Sequence, residues 1–154
     1  MYEPLLLLHS WVRWLILLSL IYFLAKSIKG AFFAEKWSAN EESFLWAFNQ
    51  AFGYQVLFGL TLWLGQSPLV KAGFREPHLI LNDSVVSFWA LRHPLTMIFA
   101  LGAFHMAKAR AKRVAPEEKF KHFAITFGLI LILIASAIPW PTLSYGRPLL
   151  RWLG

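Results

Sequence analysis

The sequence predicts an all-α integral membrane protein, a four-helix bundle with both termini outside the cytoplasm. Of its 154 residues, 58% are hydrophobic, and the mean hydropathy of +0.53 exceeds that of typical soluble domains. The apolar residues form four stretches, each near the roughly 20 residues that a helix needs to cross a bilayer. One transmembrane domain over 1–154 follows, with spans at about 4–27, 44–64, 83–109 and 120–138.

The first two spans carry signals for a helix start. In the span at about 4–27, Pro4 lies in the first turn, where its missing N–H costs nothing. No basic region precedes this span and no small-residue cleavage pattern follows it, so we expect a retained helix and not a signal peptide. The span at about 44–64 follows "SANEES", whose Ser and Asn residues can cap a helix and whose glutamates favour its positive end.

The third span, about 83–109, has a cap at its start and a proline inside. Asn82 or Asp83 is a suitable N-cap. Pro94 cannot donate a hydrogen bond to the carbonyl of Ala90, which predicts a kink. We expect the freed carbonyl to accept the second N–H of a ligand imidazole.

The fourth span, about 120–138, ends at "PWP", because Pro139 and Pro141 cannot continue a helix. The connection at 65–82 is unusually long, which predicts either an ordinary interfacial loop or a cover over a site. Residues 144–154 are predicted to form a short surface tail.

Basic residues lie mainly beside the apolar spans. The net charge of +7 and the pI of about 10 would suggest nucleic acid in a soluble chain. Nine of the fifteen lysines and arginines lie in the connections after helices one and three, which the positive-inside tendency places in the cytoplasm. They are Lys26, Lys29, Lys36, Lys108, Arg110, Lys112, Arg113, Lys119 and Lys121. We therefore predict a multi-pass protein with no nucleic-acid partner.

Four histidines lie near the ends of predicted spans. Helices one and three run in the same direction, so His9 and His93 lie at the same outer depth; His105 and His122 similarly share an inner depth. The chain has no cysteine, which excludes thiolate sites and leaves imidazole as the main soft ligand. Imidazoles that project from facing helices of a bundle can bind haem axially. We predict His9 and His93 as haem b ligands, with His105 and His122 as a second candidate pair.

Arg13 lies in the first apolar run, one helical turn below His9. A charged side chain inside a bilayer is costly and needs a partner. The predicted partners are Asp83, Glu76 or the propionates of a haem, and further candidates for the propionates are Arg92 and Arg147.

Each candidate also has a structural interpretation. The histidines can serve in hydrogen bonds alone, and Gln55, about mid-membrane on helix two, can join neighbouring helices. Gln55 or a histidine can equally donate to a quinone carbonyl in a cleft lined by Trp46, Phe58 and Trp63. The sequence has no phosphate-binding glycine loop, nucleophile elbow or intramembrane carboxylate pair, so a self-contained enzyme is not expected.

Four stretches resemble a group of small bacterial four-helix membrane proteins described as cytochrome b-like. They are "LLHSWVRWLILL", "YQVLFGLTLWL", "NDSVVSFWALRHPLTM" and "ASAIPWP", within residues 1–141. The resemblance implies a b-type haem or a quinone-linked redox role in a bacterial inner membrane. The family pattern often has a histidine where this chain has Gly53, which implies either a lost ligand or a haem held by His9 and His93.

The leading prediction is an electron-transfer subunit of a membrane redox complex, with haem b bound by His9 and His93 and with Arg13 at a propionate. One alternative is a non-catalytic accessory subunit of a larger membrane complex. Another is a haem-free quinone-binding protein. The predicted partners are the lipid bilayer and other membrane redox subunits.

Overall fold

The computed structural model describes residues 2–151, apart from the side chain of Gln66, and this part of the chain contains helices and no strand. The predicted all-α class is therefore confirmed. The α-helices are α1 Tyr2–Phe32, α2 Ala39–Thr61, α3 Pro68–Arg75, α4 Pro77–Asn82, α5 Ser84–Ser87, α6 His93–Ala111 and α7 Lys119–Ser136. Two π-helical turns, Leu62–Gln66 and Phe88–Arg92, and a 3₁₀ turn, Pro116–Glu118, lie between them.

Three helical stretches are long and apolar enough to cross a membrane: Tyr2–Phe32, Ser84–Ala111 and Pro116–Ser136. The second of these runs through α5, a π-helical turn and α6. Helix α2 has sufficient length, but with Asn49, Gln50 and Gln55 it does not reach the same apolar composition. Three of the four predicted spans thus have the length and composition required, and a crossing by α2 stays a prediction.

Helices α1 and α6 lie diagonally opposite each other. Each of them packs against both α7 and α2. Since α1 and α6 have the same direction along the bundle, residues near the start of each lie at a similar level. The helix arrangement therefore allows side chains of α1 and α6 to meet across the bundle axis.

Buried phenylalanines fill the half of the bundle that contains the end of α6. They are Phe23, Phe48, Phe52, Phe104, Phe123 and Phe127, each 3% exposed or less. The rings of Phe48 and Phe104 are 5.1 Å apart between centroids, in the edge-to-face arrangement that aromatic pairs favour. Lipid tails are as apolar as these rings, so the rings stabilise the bundle by close packing between helices and not by removal from water. This core holds the four long helices together below the cavity described in the next section.

Ion pairs join the two basic connections at one end of the bundle. Glu41 closes a capping box with Ser38 at the start of α2 and also pairs with Lys26 of α1. Lys119 donates to Glu42 at 3.2 Å. The connections after α1 and α6 therefore lie at the same end, as the predicted topology requires.

The start of the third predicted span has the expected cap. The carboxylate of Asp83 accepts hydrogen bonds from the backbone N–H groups of Val85 and Val86, at 2.8 and 3.0 Å. The chain then makes the π-helical turn Phe88–Arg92 before Pro94. Because π-helical turns widen the hydrogen-bonded ring by one residue, this turn and the proline together redirect the helix.

The long connection at 65–82 is mostly helical. Ser67 caps α3 by accepting a hydrogen bond from the backbone N–H of Val70, and the Val70 side chain is 2% exposed. Together with Leu69, these residues line one side of the cavity. Of the two predicted roles for this connection, its placement matches the cover over a site.

The described part of the predicted surface tail, 144–151, has exposed residues such as Arg147 and Leu150, as predicted, and it also packs against α1. The backbone carbonyl of Leu149 accepts hydrogen bonds from Arg13 Nη2 at 2.6 Å and from Trp14 Nε1 at 2.9 Å. These N–H groups belong to α1 and would otherwise lack partners in an apolar setting, which explains why the segment is folded back. Residues 152–154 of the predicted tail lie outside the described part.

Candidate functional site

A cavity lies between the four long helices, towards the start of α1. Its volume is about 140 Å³, close to the roughly 150 Å³ of an engineered apolar cavity that binds one benzene ring. Most of its lining is apolar, including Ile16, Phe52, Met97 and Ile134. The basic side chains in the lining are His9, Arg13, His93, Arg147 and Arg151. Within the described part of the chain, no carboxylate lines this cavity.

His9 and His93 meet across the cavity. Their ring centroids are 6.4 Å apart and their ring planes are inclined at 76°. A metal held in line between two imidazole nitrogens, at the usual distance of about 2.0–2.1 Å, requires ring centres about 6–6.5 Å apart. The structure therefore brings the two predicted ligands to a compatible separation, and their role as ligands stays a prediction.

The end of α7 orients the ring of His93. His93 Nδ1 lies 2.8 Å from the backbone oxygen of Ala137. A carbonyl oxygen only accepts, so Nδ1 carries the proton and Nε2 is the basic nitrogen. The residue four positions after Ala137 is Pro141, which has no N–H with which to occupy this oxygen as a continuing helix would. The "PWP" stretch thus leaves a free acceptor for the imidazole.

The prediction that Ala90 supplies this acceptor is wrong. The carbonyl of Ala90, four residues before Pro94, accepts a hydrogen bond from Trp63 Nε1 at 3.0 Å. The physical reason is placement: Trp63 comes from the π-helical turn after α2, which packs beside Ala90. The imidazole of His93 instead meets the carbonyl of Ala137 on α7.

Residues of α2 contact both the backbone and the ring of His9, which belongs to α1. The backbone carbonyl of His9 accepts a hydrogen bond from Gln55 Nε2 at 2.9 Å, so Gln55 joins the two helices as one of its predicted roles requires. The ring lies against Gly59: a Cβ added there would be 3.1 Å from His9 Cε1. Among the described residues, His9 Nδ1 and Gln55 Oε1 are buried without a hydrogen-bond partner. Both atoms therefore have unused hydrogen-bonding capacity.

Gly53 does not line the cavity, unlike Gly59. A Cβ added at Gly53 would meet no atom within 4 Å. The position at which the cytochrome b-like pattern often carries histidine is thus outside the site formed by His9 and His93.

Arg13 and Arg147 lie at the cavity, as two of the predicted cationic side chains. Arg13 Nη2 is bonded to the carbonyl of Leu149, and Arg13 Nε is buried without a partner. The predicted partners Asp83 and Glu76 are placed elsewhere, because Asp83 caps α5 and Glu76 lies 3.8 Å from His78. Among the described residues, no carboxylate forms an ion pair with Arg13.

Arg92 is placed away from the cavity, in contrast to its predicted role. Its side chain is exposed, lies over the rings of Phe88 and Tyr145, and donates to the Tyr145 hydroxyl at 3.2 Å. The reason is helical geometry: Arg92 precedes His93 by one residue, which turns its side chain about 100° from the cavity.

The second predicted histidine pair is not formed in the described structure. His122 Nε2 donates to the backbone carbonyl of Ala107 at 2.9 Å, while His105 is exposed. Of the aromatic residues predicted for a quinone cleft, Trp63 lines the cavity, whereas Trp46 is 62% exposed and Phe58 stacks on Tyr54. The site therefore depends on a single histidine pair.

Four further residues contribute to the site beyond those predicted. Gly59 makes room for the His9 ring, Ala137 orients His93, and Arg151 and Trp89 line the cavity. Trp89 Nε1 is buried without a hydrogen-bond partner. A signal for Ala137 exists in the sequence, since Pro141 four residues later leaves its carbonyl free.

The contact between Gly59 and His9 predicts different effects of two otherwise similar substitutions. Gly59→Val forces side-chain atoms against the imidazole, so we expect a loss of about 1–3 kcal/mol in the free energy of unfolding, as in other overpacked sites. Gly53→Val introduces the same side chain into open space on the same helix and serves as the control. Thermal unfolding of both purified variants in detergent, followed by circular dichroism, measures the difference. Equal stability of the two variants would contradict the contact.

Comparison of the chain with protein-family models, with curated proteins and with solved structures found no match.

Proposed function

We propose that this protein is a membrane electron-transfer protein that binds a b-type haem between His9 and His93. The observation that carries the proposal is the 6.4 Å separation of these two imidazoles on diagonal helices, inside a mainly apolar cavity. Helical bundles bind haem through imidazoles that project inward from facing helices. The resemblance to cytochrome b-like proteins points in the same direction.

The proposed setting is a bacterial inner membrane, crossed four times. Helix α2 is the fourth crossing, and its polar residue Gln55 is buried against α1 and not in lipid. The basic connections after α1 and α6 lie in the cytoplasm, which leaves the cavity near the outer surface and both termini outside. In this setting the protein acts as a subunit that passes electrons to or from other membrane redox proteins.

His9 and His93 are the residues that would hold a haem, although the cavity as it stands is smaller than a haem. His93 has its Nδ1 proton on the carbonyl of Ala137, which leaves Nε2 for a metal, and His9 Nδ1 is a buried nitrogen without a partner. The volume of about 140 Å³ holds one six-membered ring. A macrocycle therefore requires lining side chains to move outward, and Met97, an adaptable side chain, is one that can do so.

The residues around the two imidazoles have defined tasks in this proposal. Ala137 fixes the tautomer and the orientation of His93, the kind of support that ligand histidines usually have. Gly59 leaves space for the His9 ring, and Gln55 holds the backbone of α1 at that residue. When bound, haem would supply a one-electron couple at its iron, and His9 and His93 are the residues that would hold it.

Haem-free quinone binding is the second candidate. It is favoured by the size of the cavity and by the unpaired Nε1 of Trp89, a donor that can serve a quinone carbonyl. In this case one of the two histidines serves as a further hydrogen-bonding group for a quinone carbonyl, because rings 6.4 Å apart leave no room for a quinone ring between them.

An absorption spectrum of the full chain, purified in detergent from cells supplied with a haem precursor, tests the proposal. We expect a Soret band and the spectrum of a six-coordinate haem in both redox states. A colourless protein that also fails to bind added hemin would overturn the proposal. Quinone in the extracted protein would then favour the second candidate, and a colourless, quinone-free protein that copurifies with membrane subunits would favour an accessory role.

A further inference from the structure

Three arginines line the cavity, and one of them, Arg147, is exposed, which indicates where the cavity opens at the surface. Arg13 belongs to α1, while Arg147 and Arg151 belong to the C-terminal segment that is folded over the cavity. The Arg147 guanidinium lies 5.4 Å from the centre of the Trp89 ring. Each of the three side chains contributes to the cavity lining.

This concentration of positive charge has no acidic counterpart in the described lining. Among the described residues, Arg13 makes one hydrogen bond, to the neutral carbonyl of Leu149, and its Nε is buried without a partner. Trp89 Nε1 is another buried donor without a partner in residues 2–151. Burial of a charge without a counter-charge is costly, and unmade hydrogen bonds of buried donors add to the cost. An anionic group at the mouth would lower both costs, because it supplies a counter-charge and accepts hydrogen bonds.

We propose that the outer mouth of the cavity binds the acidic group of an amphiphilic ligand through Arg13, Arg147 and Arg151. The apolar body of the ligand lies deeper, among side chains such as Ile16 and Ile134. A carboxylate on an apolar body can come from two sources, the propionates of a haem or the head group of a long-chain fatty acid. The haem form of this inference rests on the proposed function, whereas the fatty-acid form does not.

Matched pairs of probes separate the charge of the ligand from its apolar body. Hemin is compared with its dimethyl ester, in which both carboxylates are blocked, and oleate is compared with oleyl alcohol. The full chain in a neutral detergent should bind the acid of at least one pair about tenfold or more tightly than the neutral partner, the range of a charge-assisted hydrogen bond. Equal binding of acid and neutral forms in both pairs, or no binding of any of them, would overturn the inference.

Substitutions then assign the preference to the arginines. The double variant Arg147→Gln/Arg151→Gln should lose most of the preference for the acid while it retains binding of the neutral partner. Arg75→Gln is the control, because Arg75 is an exposed arginine of α3 outside the cavity. An equal effect of the control, or an unchanged preference in the double variant, would count against the assignment.

The same measurements keep this inference separate from the proposed function. Hemin bound as tightly as its ester, together with equal binding of oleate and oleyl alcohol, would support haem binding and remove the role of the arginines. Discrimination of oleate from oleyl alcohol, with no hemin binding, would support the anion site and overturn the haem proposal.

Discussion

Replacement of His93 by alanine is expected to abolish haem binding. His93 is the imidazole whose Nδ1 proton is held by Ala137, so that its basic Nε2 is the nitrogen offered to a metal. Changes in the groups that merely support a ligand cost about 10–100-fold in metal affinity, so loss of the ligand itself should cost at least as much. Titration of the purified variant with hemin, followed at the Soret band, measures the effect. His9→Ala is expected to act in the same way, because His9 is the partner at 6.4 Å.

His105→Ala is the matched control for these substitutions. His105 lies on the same helix as His93, but it is exposed and does not line the cavity. We expect its Soret band and its hemin affinity to equal those of the unchanged protein. A His93→Ala protein that keeps the full spectrum of a six-coordinate haem would contradict the assignment of the ligands.

Glu41→Gln is expected to lower the free energy of unfolding by about 1.5–3 kcal/mol at neutral pH, because Ser38 and Lys26 then lose hydrogen bonds to a charged acceptor. Glu41 lies before the predicted membrane segment 44–64, and its side chain is 5% exposed. It accepts hydrogen bonds from Ser38 and pairs with Lys26. Thermal or denaturant unfolding in detergent, followed by circular dichroism, measures the loss.

The same carboxylate predicts a dependence of stability on pH. Burial of Glu41 opposes its ionisation, but hydrogen bonds from Lys26 and Ser38 outweigh burial and lower its pKa from 4.5 to about 2. Since the pKa is lower in the folded state, the stabilisation is fully present above about pH 4.5 and is lost as the pH falls towards 2. The unchanged protein should therefore lose stability over this range.

Glu42→Gln is the control for both expectations. Glu42 is the next residue and also accepts from a lysine, Lys119, but its side chain is 55% exposed. Exposed ion pairs contribute about 0–1 kcal/mol, so the substitution should have a small effect. If Glu41→Gln is as stable as Glu42→Gln, or keeps the acid sensitivity of the unchanged protein, the hydrogen bonds and ion pair of Glu41 do not stabilise the fold as expected.

The long helices follow from local features of the sequence. Apolar stretches of sufficient length, the cap at Asp83 and the "PWP" stop are recognisable without a fold, because each acts on its own few residues. The equal depth of His9 and His93 also follows, since two helices that run in the same direction place residues near their starts at one level. Helix α2 contains more polar residues than the other three long helices, so hydropathy predicts a membrane crossing for it less strongly.

Contacts between distant residues required the tertiary structure. Arg92 was a candidate and Arg151 was not, yet Arg151 lies at the cavity and Arg92 lies on Tyr145. Likewise, His93 bonds to Ala137, 44 positions away, and not to Ala90 in its own helix. Depth along a helix follows from residue number alone, whereas rotation about its axis is set by packing against neighbouring helices.

The amino-acid sequence by itself determined that this chain is helical, apolar and able to place two imidazoles at one level. Only the tertiary structure decided that α1 and α6 are diagonal, that the two rings meet at 6.4 Å, and that the C-terminal segment brings two arginines to the same cavity. The physical reason is that helix formation depends on residues within one or two turns. The site instead depends on how whole helices rotate and pack until their buried groups find partners.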